Sequence, residues 1–256
     1  MPKIITIHSF RRGTGKSNLA ANLAVLLARE DHRIAVVDTN FQSPGLQTLF
    51  GLKPVDPVYT FNNYLFQECA VEQAAFDATP DLPHAIGGRL FVVPASSELA
   101  EIARVLRTGY DSERLINGLT ELASRLRLDA LLIDTPAGLN EETLNLFAAS
   151  DVLAILLRLD QQDYHGTGLL VRVAQKLNVP HITMIINDVS LSYNLSAVEK
   201  EVEMVYDCRV AGILPYAEEM QMLGSDDIFV LRFPDHPLTQ VLQHIGAELV
   251  GPGNGT

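Results

Sequence analysis

Cysteine is scarce in this chain. Only Cys69 and Cys208 occur in 256 residues, and neither belongs to a C-x-x-C pair or a Cys/His cluster. That excludes a disulfide framework, points to a reducing compartment (the cytoplasm), and argues against a structural metal site. Long apolar runs are missing too. None approaches the roughly 18 residues that a membrane span needs. The first residues enter a strand-like run without a basic-then-apolar leader, so no signal peptide is expected. Cations are few: 19 Lys and Arg stand against 31 Asp and Glu, for a net charge of −12. Such a balance argues against adhesion to DNA or to anionic lipid. The arginines at 104, 107, 114, 125 and 127 alternate with Glu101, Glu113 and Glu121, as on a solvated helix face rather than a basic patch. Internal repeats and low-complexity tracts are also lacking.

What the chain does have is alternation. Short apolar runs at Lys3–Ile7, Arg33–Asp38, Leu90–Val93, Ala130–Asp134, Val152–Leu157, Ile182–Asn187 and Val210–Leu214 read as parallel strands buried on both faces. Helical spacing separates them, at Asn18–Arg29, Ser97–Leu106, Ser112–Leu126, Glu141–Ala149, Gly166–Leu177, Ala197–Tyr206 and Pro237–Leu249. This order predicts an α/β fold, a doubly wound, mainly parallel sheet flanked by helices. Residues 1–250 are expected to form one domain, with 251–256 as a disordered tail. Lys53–Gly88 is the irregular part, with short helices expected around Thr60–Gln67 and Val71–Ala75. In such sheets ligands bind at the carboxyl ends of the strands, and every motif below falls at one.

Directly after the first run comes Ser9-Phe10-Arg11-Arg12-Gly13-Thr14-Gly15-Lys16-Ser17. Its back half has the parts of a triphosphate-binding loop. Glycines let backbone N–H groups curl around phosphate, Lys16 supplies a point charge, and Ser17 offers a hydroxyl to Mg²⁺. The helix beginning near Asn18 adds its positive end. Strand before and helix after set this apart from a chance G-K-S turn. The front half departs from G-x-x-x-x-G-K-[ST], with Phe10 in place of the first glycine. Asp38 ends the second strand and opens Asp38-Thr39-Asn40-Phe41-Gln42-Ser43-Pro44-Gly45; its carboxylate can hold Mg²⁺ through the ion's water shell. Asp134 ends another strand and opens Asp134-Thr135-Pro136-Ala137-Gly138, which suits a Mg²⁺ ligand followed by a γ-phosphate sensor. Either acid alone could be a helix cap or a turn.

On these residues, and on Leu90–Ser96, Ile185-Ile186-Asn187 and Gly212–Tyr216, the chain resembles the MinD/ParA group of deviant-Walker P-loop ATPases (SIMIBI type), and its MinD branch most. The resemblance spans nearly the whole length. It implies ATP and Mg²⁺ as cofactors, an ATP-dependent homodimer, slow partner-stimulated hydrolysis, and a role in positioning or partitioning cellular machinery. By the same resemblance Gly13, Thr14, Gly15, Lys16, Ser17 and Asn18 hold phosphates, and Ser17, Asp38 and Asp134 serve the metal. Asn187 and Pro215, with the stretch to Glu218, lie near the base. Lys16, Asp38, Asn40 and Arg11 are the catalytic candidates.

Three departures matter. Arg11 stands where the family's signature lysine crosses to the partner's phosphates; it could do likewise, or pair with an acid on its own surface. Arg12 replaces a glycine. If that position needs positive φ, arginine costs about 1–2 kcal/mol there, and its side chain is expected to leave the phosphate pocket toward a dimer partner. Asn40 replaces an acid and can orient water but not accept its proton. Hydrolysis slowed by Asn40, or a hydrolysis-deficient adaptor that signals by ATP occupancy, are therefore both open. Asp188 stands where many relatives carry a basic residue. A biosynthetic enzyme on the same fold ranks last, because neither cysteine lies in a loop that would serve one. The final helix has an apolar face without cations, which favours core packing over membrane docking.

Overall fold

The computed structural model describes residues 2–52, 59–82 and 87–251; the expected tail beyond Gly251 and parts of the irregular segment lie outside them. Eight strands form one sheet: β1 Lys3–His8, β2 Arg33–Asp38, β3 Phe76–Asp77, β4 Arg89–Val93, β5 Ala130–Asp134, β6 Val152–Leu157, β7 His181–Val189 and β8 Arg209–Pro215. Their order is β3-β4-β2-β5-β1-β6-β7-β8. Every pairing is parallel except the short β3 against β4. All seven expected strands are present. β3 is an addition, two residues long and too short to carry a periodic signal.

The helices are α1 Lys16–Arg29, α2 Leu46–Leu49, α3 Phe61–Leu65, α4 Leu99–Thr108, α5 Ser112–Arg125, α6 Glu141–Ala148, α7 Gln161–Lys176, α8 Leu195–Tyr206, α9 Glu218–Leu223, α10 Phe229–Arg232 and α11 Pro237–Val250. Val71–Ala74 forms a 3₁₀ turn. α7 begins five residues before the expected Gly166, because Asp160 caps it by accepting from the backbone N–H groups of Gln162 and Asp163.

Strand alternation explains the layers. On β6, Val152, Ala154 and Leu156 join the core beneath α1 and α11. Leu153, Ile155 and Leu157 join the opposite core beneath α7 and α8. A third cluster lies under α3 and α5, around Phe61, Leu115 and Leu119. Apolar runs buried on both faces are what a parallel sheet covered by helices demands. α11 places Leu238, Leu242, Ile245 and Leu249 in the core, so its apolar face is consumed by packing, as its lack of cations implied. No helix among the described residues is long and apolar enough to cross a membrane.

β1 lies between β5 and β6. Its outgoing chain runs through α1 to β2 on one side, while β6 begins the run to β7 and β8 on the other. This is the topological switch point, where a crevice opens at the strand ends.

Candidate functional site

The loop between β1 and α1 fills that crevice. Gly13 and Gly15 take positive φ, 75° and 98°, and Gly15 is the N-cap of α1. Arg12 is not among the residues of positive φ, so the strain expected there is absent; the left-handed turns are carried by the two glycines. Phe10, in place of the first glycine, turns its ring away from the loop and packs it on Gly166 of α7, where an added Cβ would come within 1.9 Å of ring carbon Cδ1. The substitution thus anchors the front of the loop to a neighbouring helix.

Lys16 is nearly buried at 9% exposure, and its Nζ donates to Ser9 Oγ at 3.0 Å. Thr14 Oγ1 donates to the same oxygen, and Ser9 Oγ in turn donates to the Arg11 carbonyl. Burial lowers the Lys16 pKa, against the opposing pull of the Asp134 carboxylate.

β2 and β5 bring Asp38 and Asp134 to the same register, and Thr39 ties the two ends by donating its N–H and Oγ1–H to the Asp134 carbonyl, each at 2.9 Å. The two carboxylates then differ. Asp38 is fully buried and accepts from the backbone N–H groups of Asn40, Gly45 and Leu46 at 2.8 to 3.1 Å. It organises its own loop. Burial still raises its pKa to about 6, against those hydrogen bonds. Asp134 is 1% exposed, and neither carboxylate oxygen has a hydrogen-bond partner among the described residues. Burial, then the nearby Asp38 charge, raise its pKa to about 7, while the Ser17 hydroxyl, near but not in hydrogen-bond geometry, and the Lys16 charge pull it down. A buried carboxylate left without a donor is costly. Facing Ser17, it fits a divalent cation, which would satisfy it while bridging to phosphate. Among the described residues no three His, Cys, Asp or Glu side chains gather to hold a metal by themselves. The donor set therefore suits Mg²⁺ completed by water and phosphate, with Ser17 and Asp134 as the protein's share. Asp38 accepts from three backbone N–H groups of the loop it shapes.

Two cavities open from this loop. The larger, about 600 Å³, runs from Thr14 and Asn18 past Asn187 and Pro215 to Tyr216 and Met220, and accommodates a nucleoside. Asn187 Nδ2 donates to the Thr14 carbonyl at 2.8 Å, so this side chain braces the loop as well as lining the cavity. Asp188, in left-handed backbone at φ 61°, pairs with Arg158 from the end of β6. A basic group is thus delivered to this cavity from the neighbouring strand. The smaller cavity, about 390 Å³, joins Arg12, Lys16 and Ser17 to Asn40, Ser43 and Ala137. It spans the phosphate loop and the loops after β2 and β5. Asn40 does not point free into it: Nδ2 donates to the Ser43 carbonyl at 2.7 Å, leaving Oδ1 as its remaining polar atom.

Arg11 is held on its own chain. Its Nη1 lies 3.0 Å from Asp160 Oδ1, and its Nε 3.8 Å from the buried Asp163. Arg12 is exposed and borders the smaller cavity.

The sequence reasoning missed several residues. Ser225 lines both cavities, and Arg158 with Gln221 the larger. His8 is fully buried; Thr135 donates to the Ile7 carbonyl, so His8 Nδ1 donates to Thr135 Oγ1 at 2.7 Å. Burial, followed by the Lys16 charge, lowers its pKa to about 3 and keeps it neutral. A histidine directly before the loop was the available signal.

Residues 2–205 match the AAA domain family (AAA_31). The chain belongs to that family, as a MinD/ParA-type P-loop ATPase. An uncharacterised ATP-binding protein of Methanocaldococcus jannaschii is 27% identical over 252 residues, covering 96% of this chain and 87% of the relative. The chromosome partitioning protein ParA of Caulobacter vibrioides is 27% identical over 176 residues, covering 68% of this chain and 63% of ParA. The structure of MinD from Pyrococcus horikoshii, complexed with Mg-ADP, superposes with a TM-score of 0.79 at 20% identity, covering 97% of this chain and 96% of that one. At that identity the likeness concerns the fold.

Proposed function

We propose that this MinD/ParA-type ATPase is an ATP-binding switch, built on the single domain of residues 1–250. It binds Mg·ATP, dimerises face to face in that state, and hydrolyses ATP slowly when an as yet unidentified protein partner stimulates it. The setting is the cytoplasm and the task the positioning or partitioning of cellular machinery. One observation carries the reading. Asp134, buried and with no hydrogen-bond partner among the described residues, lies close to Ser17 and Lys16, and those two residues line a cavity walled by the phosphate loop and both flanking loops. Such a cavity can register whether a third phosphate is present, because the loops after β2 and β5 both border it. Mg²⁺, when bound, would neutralise phosphate charge; Lys16 would steady the phosphates, and Asn40 Oδ1 would orient water.

A second reading, an adaptor that signals by ATP occupancy without useful turnover, is favoured by Asn40. Its amide is spent on the Ser43 carbonyl, and it cannot take a proton. Size-exclusion chromatography with light scattering, in Mg·ATP and in Mg·ADP, together with a phosphate-release assay, tests both. A dimer in ATP alone with slow release supports the switch, and a dimer with no release the adaptor. A monomer in both nucleotides would refute the dimerising switch.

A further inference from the structure

Arg11 and Arg12 are adjacent in sequence and end in different electrostatic surroundings. Arg11 faces two carboxylates, Asp160 and Asp163. Arg12 makes no ion pair and no side-chain hydrogen bond with any described residue, in a chain with 31 acidic residues to offer. Its side chain is exposed to solvent. It lines the smaller cavity with Lys16, Ser17, Asn40 and Ala137 and does not line the larger, nucleoside-sized one. Its charge is felt by Lys16, whose ammonium it disfavours. Two cations facing one cavity repel each other, and an anion between them would turn that repulsion into attraction. The cavity they share also reaches the loops after β2 and β5, through Asn40, Ser43 and Ala137.

We propose that Arg12 contacts the γ-phosphate of the nucleotide bound by its own chain. The proposal rests on the ATP-binding reading above. Arg12 makes the contact in cis because it already forms the wall of its own chain's cavity, and Arg11 cannot substitute while Asp160 and Asp163 hold it. The family pattern has a glycine at this position, with no side chain to give. Here a planar fork of N–H donors suited to phosphate oxygens is added. Because those oxygens belong to the third phosphate, Arg12 serves the discrimination of ATP from ADP, the property on which a switch depends. It adds positive charge where phosphoryl transfer spreads negative charge.

The test is calorimetric titration of a non-hydrolysable ATP analogue and of ADP, each with Mg²⁺, into wild type, Arg12→Gly, Arg12→Ala and Arg12→Lys. Arg12→Gly and Arg12→Ala should weaken the triphosphate by roughly ten- to hundredfold, the scale of one hydrogen bond to a charged group. ADP affinity should stay within about twofold, which also reports that the loop is folded, and Arg12→Lys should recover part of the loss. The ratio of the two affinities should not change over a tenfold range of protein concentration. Equal loss for both nucleotides, or no loss for either, would overturn the γ-phosphate contact. A loss seen only at high protein concentration would place Arg12 across a dimer and overturn the cis assignment. Wild type binding neither nucleotide would bring down the ATP-binding reading itself, and the wild-type titration alone tells that failure apart.

Discussion

The ring of Phe10 lies against Gly166, leaving no room for even a methyl group on α7 at that point. This contact ties the front of the phosphate loop to a helix that begins at the end of β6. It also explains why a bulky aromatic is tolerated where a phosphate loop ordinarily carries glycine. Gly166→Ala should therefore destabilise the protein. An alanine inside a helix is ordinarily favoured over glycine by about 1 kcal/mol, whereas overpacking costs about 1–3 kcal/mol. A net loss of up to about 2 kcal/mol in urea unfolding is expected, with nucleotide affinity reduced as the loop shifts. Phe10→Ala combined with Gly166→Ala should lose less than the two single changes summed. If Gly166→Ala is as stable as wild type, the ring does not depend on that glycine.

Arg11 is balanced between two uses. Its pair with Asp160 is 43% and 42% exposed, so the pair contributes less than about 1 kcal/mol to stability. Asp160→Asn keeps an oxygen to cap α7 while removing the charge that holds Arg11. If Arg11 reaches a partner's phosphates, this variant should dimerise several-fold more tightly in Mg·ATP, and Arg11→Ala should lose the dimer. Sedimentation measures both. Unchanged dimerisation in the two variants would confine Arg11 to its own surface.

Much of this was legible in the sequence. The parallel strands announced themselves as apolar runs because both faces are covered, as on β5, where all five residues are buried. Gly13 to Ser17 stand out because they follow such a strand, Asp38 and Asp134 because each ends one. What escaped came together only through the fold. The wall of the nucleoside cavity is completed by α9 and α11, some 200 residues after the loop. The pairing of Arg158 with Asp188 joins the ends of adjacent strands. The start of α7 was misplaced because Gly166 resembles a boundary, when its lack of a side chain serves Phe10. The positive φ foreseen at Arg12 falls instead on Gly13 and Gly15, which follow it in the loop and adopt it without steric cost.

The acids at the ends of β2 and β5 make stability depend on pH. Asp134 titrates at about 7 and Asp38 at about 6 in the folded chain, above the ordinary carboxylate value near 3.8. Between pH 4 and 7 the folded state therefore holds protons that the unfolded state has released, and stability falls as pH rises. His8 works the other way: with its pKa lowered to about 3, it costs stability as pH falls below 6.5. The two partly cancel in wild type, so the difference from Asp134→Asn isolates the acid. That variant, without its nucleotide, should gain stability over wild type on the order of a few kcal/mol at pH 8, and the gap should close toward pH 4. Thermal unfolding across pH 4 to 8 reads it directly. A gap that does not vary with pH would mean that Asp134 is already ionised when folded.

The catalytic question turns on one atom of Asn40. Its Nδ2 is bound to the Ser43 carbonyl, and its backbone N–H to Asp38. Asn40→Asp would remove a donor, leaving the Ser43 carbonyl unmatched and placing a third carboxyl group close to Asp38 and Asp134. Without nucleotide the variant should lose about 1 kcal/mol. With Mg·ATP the same carboxylate gains a role, as an acceptor for the proton of the attacking water. A positioned general base contributes up to roughly 10²–10⁴-fold, but phosphoryl transfer through a loose transition state depends more on positioning and charge. The expected rise in phosphate release is therefore toward the lower end, about tenfold or more. A destabilised protein that turns over faster is a combination that simple damage to the loop would not produce. Turnover that stays at the wild-type level would move the limit on hydrolysis away from Asn40, to the arrangement of the loops around it.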